Sequence, residues 1–174
     1  MESQDLIDVA MSYPIGEIVT RYAADQEIDA ATAEEHAREA KRFLILCALN
    51  PDRVYGMRGP IDEFWHTFVI FTSRYMDFCE RVGGRFIHHY PNTAPKERQR
   101  YTFNKGRKGG PAKDLSRNDL KKMYLAMLDD YKKTFGEPAP KHLWPRPAIA
   151  ESGGGVADDC ACGPVCRCGC SCIA

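Results

Sequence analysis

The chain has 174 residues, the size of one ordinary domain with room for a tail. Hydrophobic residues make up 44% and charged residues 28%, a balance that supports a packed core and excludes wholesale disorder. The 24 basic and 24 acidic residues cancel to a formal net charge of zero, so nucleic acid is not an expected partner.

The zero hides an asymmetry. Residues 1–50 hold ten acids and four bases, whereas residues 96–113 hold seven bases and one acid. The basic stretch would dock on the acidic N-terminal part or serve as an anion-binding loop; with Tyr101 and Phe103 among its cations, it also has the composition that holds phosphates and stacks bases. A solvated loop is the commoner outcome for such a stretch. The longest uncharged apolar runs, Phe43–Pro51 and Phe64–Ser73, are about half the roughly 20 residues a bilayer needs. The first residues are acidic and lack a basic segment before a long apolar run, so a cytoplasmic location is expected. In a reducing compartment the eight cysteines read as thiols or metal ligands before disulfides.

In chain order the signals are mostly helical. Apolar residues three and four apart predict helices over Asp5–Tyr13 and Ile15–Gln26, separated by Pro14. Thr32 and Glu35 form a capping-box pattern that opens Ala33–Leu49, and Asn50-Pro51 closes it. Pro60 fits a first helical position. Ile61, Phe64, Trp65, Phe68, Val69 and Phe71 then give a broad apolar face, the most hydrophobic in the chain, which predicts a place at the centre of the core. A pause is expected near Thr72-Ser73, with a resumed helix through Tyr75–Val82 and a stop at Gly83-Gly84. Between Gly83 and Asp114 no periodicity survives, and no alternating strand pattern exists beyond the short Arg85–His88. Ser116 and Asp119 open a last helix that stops at Gly136.

Four prolines between 138 and 147, then Ser152-Gly-Gly-Gly155, mark a boundary. The expected organisation is an all-α, compact helical domain over 1–147, with a long irregular loop, and a flexible, disordered Cys-rich tail over 148–174.

Two features carry chemistry. Asp62 and His66 are one helical turn apart, within about 5–6 Å of each other on one face. A carboxylate and an imidazole at that spacing can ligate one metal, or the Asp can hold one ring nitrogen and turn the other outward. His88 and His89 follow the glycine stop, where the chain can fold back over the helix. The pair serves equally as a buried structural hydrogen bond, and the two histidines as a surface turn. Cys79 points about 220° away from His66 on a straight helix, so a buried, apolar role is expected for it.

The second feature is the tail. Cys160, Cys162, Cys166, Cys168, Cys170 and Cys172 put six thiols into thirteen residues. Thiolates suit Zn(II) and Cu(I). The Cys-x-Cys spacing, resembling metallothionein-like segments, differs from the Cys-x₂₋₄-Cys pairs of zinc fingers.

Ile61-Asp-Glu-Phe-Trp-His66, Phe68–Thr72, Tyr75, Cys79, Gly84–Pro91, Tyr131–Gly136 and Leu143-Trp-Pro145 together resemble the glycine-rich domain-containing-protein-like family, a domain of unknown function in plants, fungi and bacteria. The resemblance spans about residues 55–145 and implies a mainly helical domain in which Asp62, Trp65, His66, His88 and His89 act as one unit. It implies no reaction. Thr67-Phe68 stands where many of those relatives carry a second His and a Met, so a site using that His is absent. The chain has only a short Cys/Gly tail in place of the long glycine-rich regions of the plant members.

The expected function is that of a cytosolic metal-binding or metal-handling protein, with Zn(II) or Cu(I) held by tail thiolates and by a site at Asp62, His66, His88 and His89. The alternatives are a metal-dependent enzyme at that cluster, an interaction module without metal, and a tail that is the substrate of a modifying enzyme or the anchor of a protein partner.

Overall fold

The computed structural model describes residues 3–57, 59–90, 101–103, 113–115, 117–146 and 170–173. Six helices dominate: α1 Ser3–Ser12, α2 Gly16–Gln26, α3 Ala30–Leu49, α4 Pro60–Ile70, α5 Thr72–Gly83 and α6 Arg117–Phe135. The helical expectation is borne out. The helix breaks fall where the breakers are, at Pro14, at Asn50-Pro51 and at the left-handed glycines Gly84 and Gly136. One start differs. α3 opens three residues before Ala33, because Asp29 rather than Thr32 caps it: the Asp29 carboxylate accepts from the Thr32 N–H (2.9 Å) and hydroxyl (2.7 Å).

α3, not α4, is the hub. Phe43 to Cys47 are five consecutive buried residues, which requires neighbours all round the helix. α3 packs against each of the other five helices. Ala33, Ala37 and Ala40 give its first half the small surface that lets helices approach closely. α4 buries Ile61, Phe64, Trp65 and Phe68 against α2, α3 and α5, so its strong hydropathy reflects one deeply packed face.

The Pro-rich segment after α6 is pinned to the hub by a buried carboxylate. Glu39 accepts from Trp144 Nε1 (2.8 Å) and from the Tyr131 hydroxyl (2.9 Å), and Arg42 reaches out to Glu137 (2.7 Å). The Trp144 ring stacks on Phe43 at 6.0 Å.

The little strand present is short: β1 Val54–Met57, β2 His88–Tyr90, β3 Tyr101–Phe103, β4 Lys113–Leu115 and β5 Cys170–Ile173. β3 and β4 form an antiparallel pair within the stretch that carries no periodicity. β5 lies between β1 and β2, antiparallel to both. Its central row is Tyr55, Cys172 and His89. Apart from Cys170–Ile173, the tail expected beyond residue 147 lies outside the described residues, as does Ser116.

Candidate metal centre

Gly59, at φ 71°, caps α4, and Pro60 begins it. Asp62 therefore sits in the first turn, where the unpaired N–H groups of a helix favour a carboxylate. The Asp62 side chain is 1% exposed. His66 lies one turn on and is about one-third exposed, at 36%.

The second half of the site arrives on β2. α5 ends at Gly83, where a Cβ would stand 3.3 Å from the Ala48 Cβ, and Gly84 at φ 63° reverses the chain. Trp65 Nε1 donates to the Tyr75 hydroxyl (2.9 Å), which donates to the Ile87 carbonyl (2.6 Å). Burial holds the Tyr75 phenol far above its ordinary pKa, so it remains a donor. This relay fixes the backbone two residues before His89. The His89 ring then packs between Trp65 and His66, with centroids at 4.2 and 4.3 Å.

Asp62, His66 and His89 each offer a ligand atom within 4.8 Å of the others. The partners are not the ones expected from helical spacing. The Asp62 carboxylate meets His89, not His66: Oδ1 lies 3.1 Å from His89 Nε2 and 3.8 Å from His66 Nδ1. His66 Nδ1 lies 2.7 Å from the Asp62 backbone carbonyl. A carbonyl only accepts, so that nitrogen carries a proton, and the neutral ring has its lone pair on Nε2. Asp62 Oδ2 is buried with no hydrogen-bond partner. An ionised oxygen in that position has lost its water and gained nothing in return.

His88 is not in the group. It alternates to the opposite side of β2, is exposed, and its ring lies 5.0 Å from Phe86. Cys79 is fully buried, and burial raises its thiol pKa, as it does that of Cys47. Both thiols are kept protonated and are poor ligands. Cys170 and Cys172 lie on β5; Cys160, Cys162, Cys166 and Cys168 lie outside the described residues, as does most of the basic stretch 96–110. Tyr75 is a positioning residue that the sequence does not mark as one. Its spacing from Trp65 carries no signal, because the two helices they occupy break between them at Phe71.

A family model described as UCP032817-like matches residues 10–108, more than half of the chain. The chain belongs to this family. The UCP032817-like match contains Asp62, His66 and His89, and it ends before α6 and the cysteine-rich segment. It overturns the resemblance to the glycine-rich domain-containing-protein-like family: a different family matches, starting 45 residues earlier than that resemblance and leaving Tyr131–Gly136 and Leu143–Pro145 uncovered. The physical reason lies in the residues that suggested it. Phe64, Trp65, Phe68, Tyr75 and Trp144 are core-filling aromatics, and aromatic spacing of that kind serves any helical core. No curated protein and no solved structure matches the chain.

Proposed function

We propose that this UCP032817-like protein binds a divalent metal ion, Zn(II) first, through Asp62, His66 and His89, and that its cysteine-rich segment supplies thiolates for metal handling. The observation that carries the reading is the buried, unpartnered Asp62 Oδ2 beside two imidazoles. One carboxylate and two imidazoles form a donor set that suits Zn(II). Bonds of roughly 2.0–2.1 Å in a tetrahedron set ligand atoms about 3.3 Å apart, close to the 3.1 Å between His89 Nε2 and Asp62 Oδ1. An ion there would replace the shared proton of that pair and give Oδ2 the charge it lacks. His66 is the exposed member of the three. No helix among the described residues is long and apolar enough to cross a membrane.

The test is zinc titration of full-length protein in which all six tail cysteines are serine. One equivalent should bind, and His89→Ala in that background should weaken it by more than the roughly 10–100-fold that loss of an outer-shell partner costs. Binding of no zinc, or binding indifferent to His89→Ala, would overturn the reading.

A further inference from the structure

The described ligand group stops at three side chains, one short of the four that close a zinc tetrahedron. The strand register places one more donor-bearing residue in the row of His89. β1 and β2 are not neighbours; β5 fills the space between them, pairing with both. Without β5, β1 and β2 would stand two strand spacings apart, about 9–10 Å, each with an open edge. The segment that closes this slot is Cys170–Ile173, at the end of the chain.

Its register is informative. Cys172 lies opposite His89 on one side and Tyr55 on the other, while Ile173 lies opposite His88 and Ser171 opposite Tyr90. Residues directly opposite in an antiparallel ladder have Cα atoms about 4.5–5.5 Å apart and belong to the same face of the sheet. His89 and Tyr55 are the inward members of their strands: Tyr55 is 1% exposed and His89 packs on Trp65. Cys170 is paired with Met57 and lies beyond the end of β2, two residues and about 6.6 Å along the strand from Cys172. Among the tail cysteines in β5, only Cys172 occupies the row of His89.

We propose that Cys172 is the fourth ligand of the Asp62–His66–His89 centre, brought to it by insertion of the C-terminal strand between β1 and β2. This rests on the metal-binding reading above and deepens it: the tail and the domain then form one Asp–His₂–Cys site. Metal loading and strand insertion become coupled, because a thiolate ligated there holds β5 in the slot. A slotted β5 likewise raises the local concentration of thiolate at the ion.

The experiment uses cobalt(II) as a spectroscopic substitute for zinc, under reducing, oxygen-free conditions, in two full-length proteins. One carries serine at Cys160, Cys162, Cys166, Cys168 and Cys170 and keeps Cys172; the other adds Cys172→Ser. Cys47 and Cys79 are common to both. The first should bind one equivalent with a sulfur-to-cobalt charge-transfer band in the near ultraviolet and intense tetrahedral visible bands. The second should still bind one equivalent, about tenfold or more weakly, without the charge-transfer band. Adding His89→Ala to the first protein should abolish the band. Identical spectra and affinities in the two proteins would overturn the Cys172 assignment while leaving the three-residue site standing. A band that survives His89→Ala would overturn it too, by showing the thiolate bound elsewhere. Failure of both proteins to bind cobalt would overturn the metal-binding reading and this inference with it.

Discussion

Asp62 combines two opposing conditions. The first turn of α4 favours a carboxylate there, yet burial leaves Oδ2 without any donor. A bound cation resolves the conflict only in the folded state, because the three donors converge only there. Zinc held by tail thiolates away from the fold would bind folded and unfolded chains alike and so would add little to folding stability. Zinc at 100 times its dissociation constant should therefore stabilise the wild-type protein by about 2.7 kcal/mol, and Asp62→Asn by almost nothing; denaturant melts with and without zinc would show it. His36 gives a second prediction at this scale. Tyr22 donates to the Pro60 carbonyl (3.0 Å), so the His36 Nδ1–H, 3.0 Å away, must donate to the Tyr22 oxygen. Burial lowers the His36 pKa from its ordinary 6.5, with a smaller opposing pull from Glu35. The unfolded state then binds the extra proton first, so stability should fall as pH drops through about 6.5 and level off below the folded pKa. His36→Gln should flatten that slope in thermal melts across the range. An unchanged slope would contradict the assignment.

Elements were legible to the extent that local breakers define them. Pro14, Asn50-Pro51, Pro60, Gly84 and Gly136 each mark a helix end that the backbone shows, because proline and left-handed glycine act within their own turn. The strands were not legible. β1, β2 and β5 are three or four residues long and form a sheet only through pairings such as Tyr90 with Ser171 and Val54 with Ile173, far apart in the chain, which leave no short-range pattern. The candidate site was half legible for the same reason. Helical spacing put Asp62 and His66 on one face, but the choice of His89 over His88, and of His89 over His66 as the carboxylate's partner, depends on which side of β2 meets α4. The reversal at Gly84 makes that choice. At φ 63° with nothing within 4 Å of its would-be Cβ, Gly84→Ala should clash with no neighbour and cost only backbone strain, about 1–2 kcal/mol. Because the strain sits at the turn leading into β2, the variant should also weaken zinc binding. Urea unfolding and zinc titration of the one variant would measure both effects.

For the molecule as a whole, α3 is the shared support of both halves of the account. Its Phe43–Cys47 stretch carries the core under α4, and its Glu39 anchors α6 and the segment that ends in Trp144. Replacing Trp144 with Phe keeps a ring against Phe43 but removes a charge-assisted hydrogen bond to a buried carboxylate. The loss should be about 2 kcal/mol in urea unfolding, with zinc affinity unchanged, since the site lies on α4 and β2. If the fold assembles Asp62, His66 and His89 into a metal centre, an ion held there is directly visible. Anomalous diffraction at the zinc edge would show it, from crystals of full-length protein carrying serine at Cys160, Cys162, Cys166, Cys168 and Cys170 and grown with one equivalent of zinc. One peak is expected, within about 2.0–2.2 Å of an Asp62 oxygen and of a nitrogen on each of His66 and His89. Peaks confined to other parts of the chain, with those three side chains hydrogen-bonded as they are without metal, would contradict it.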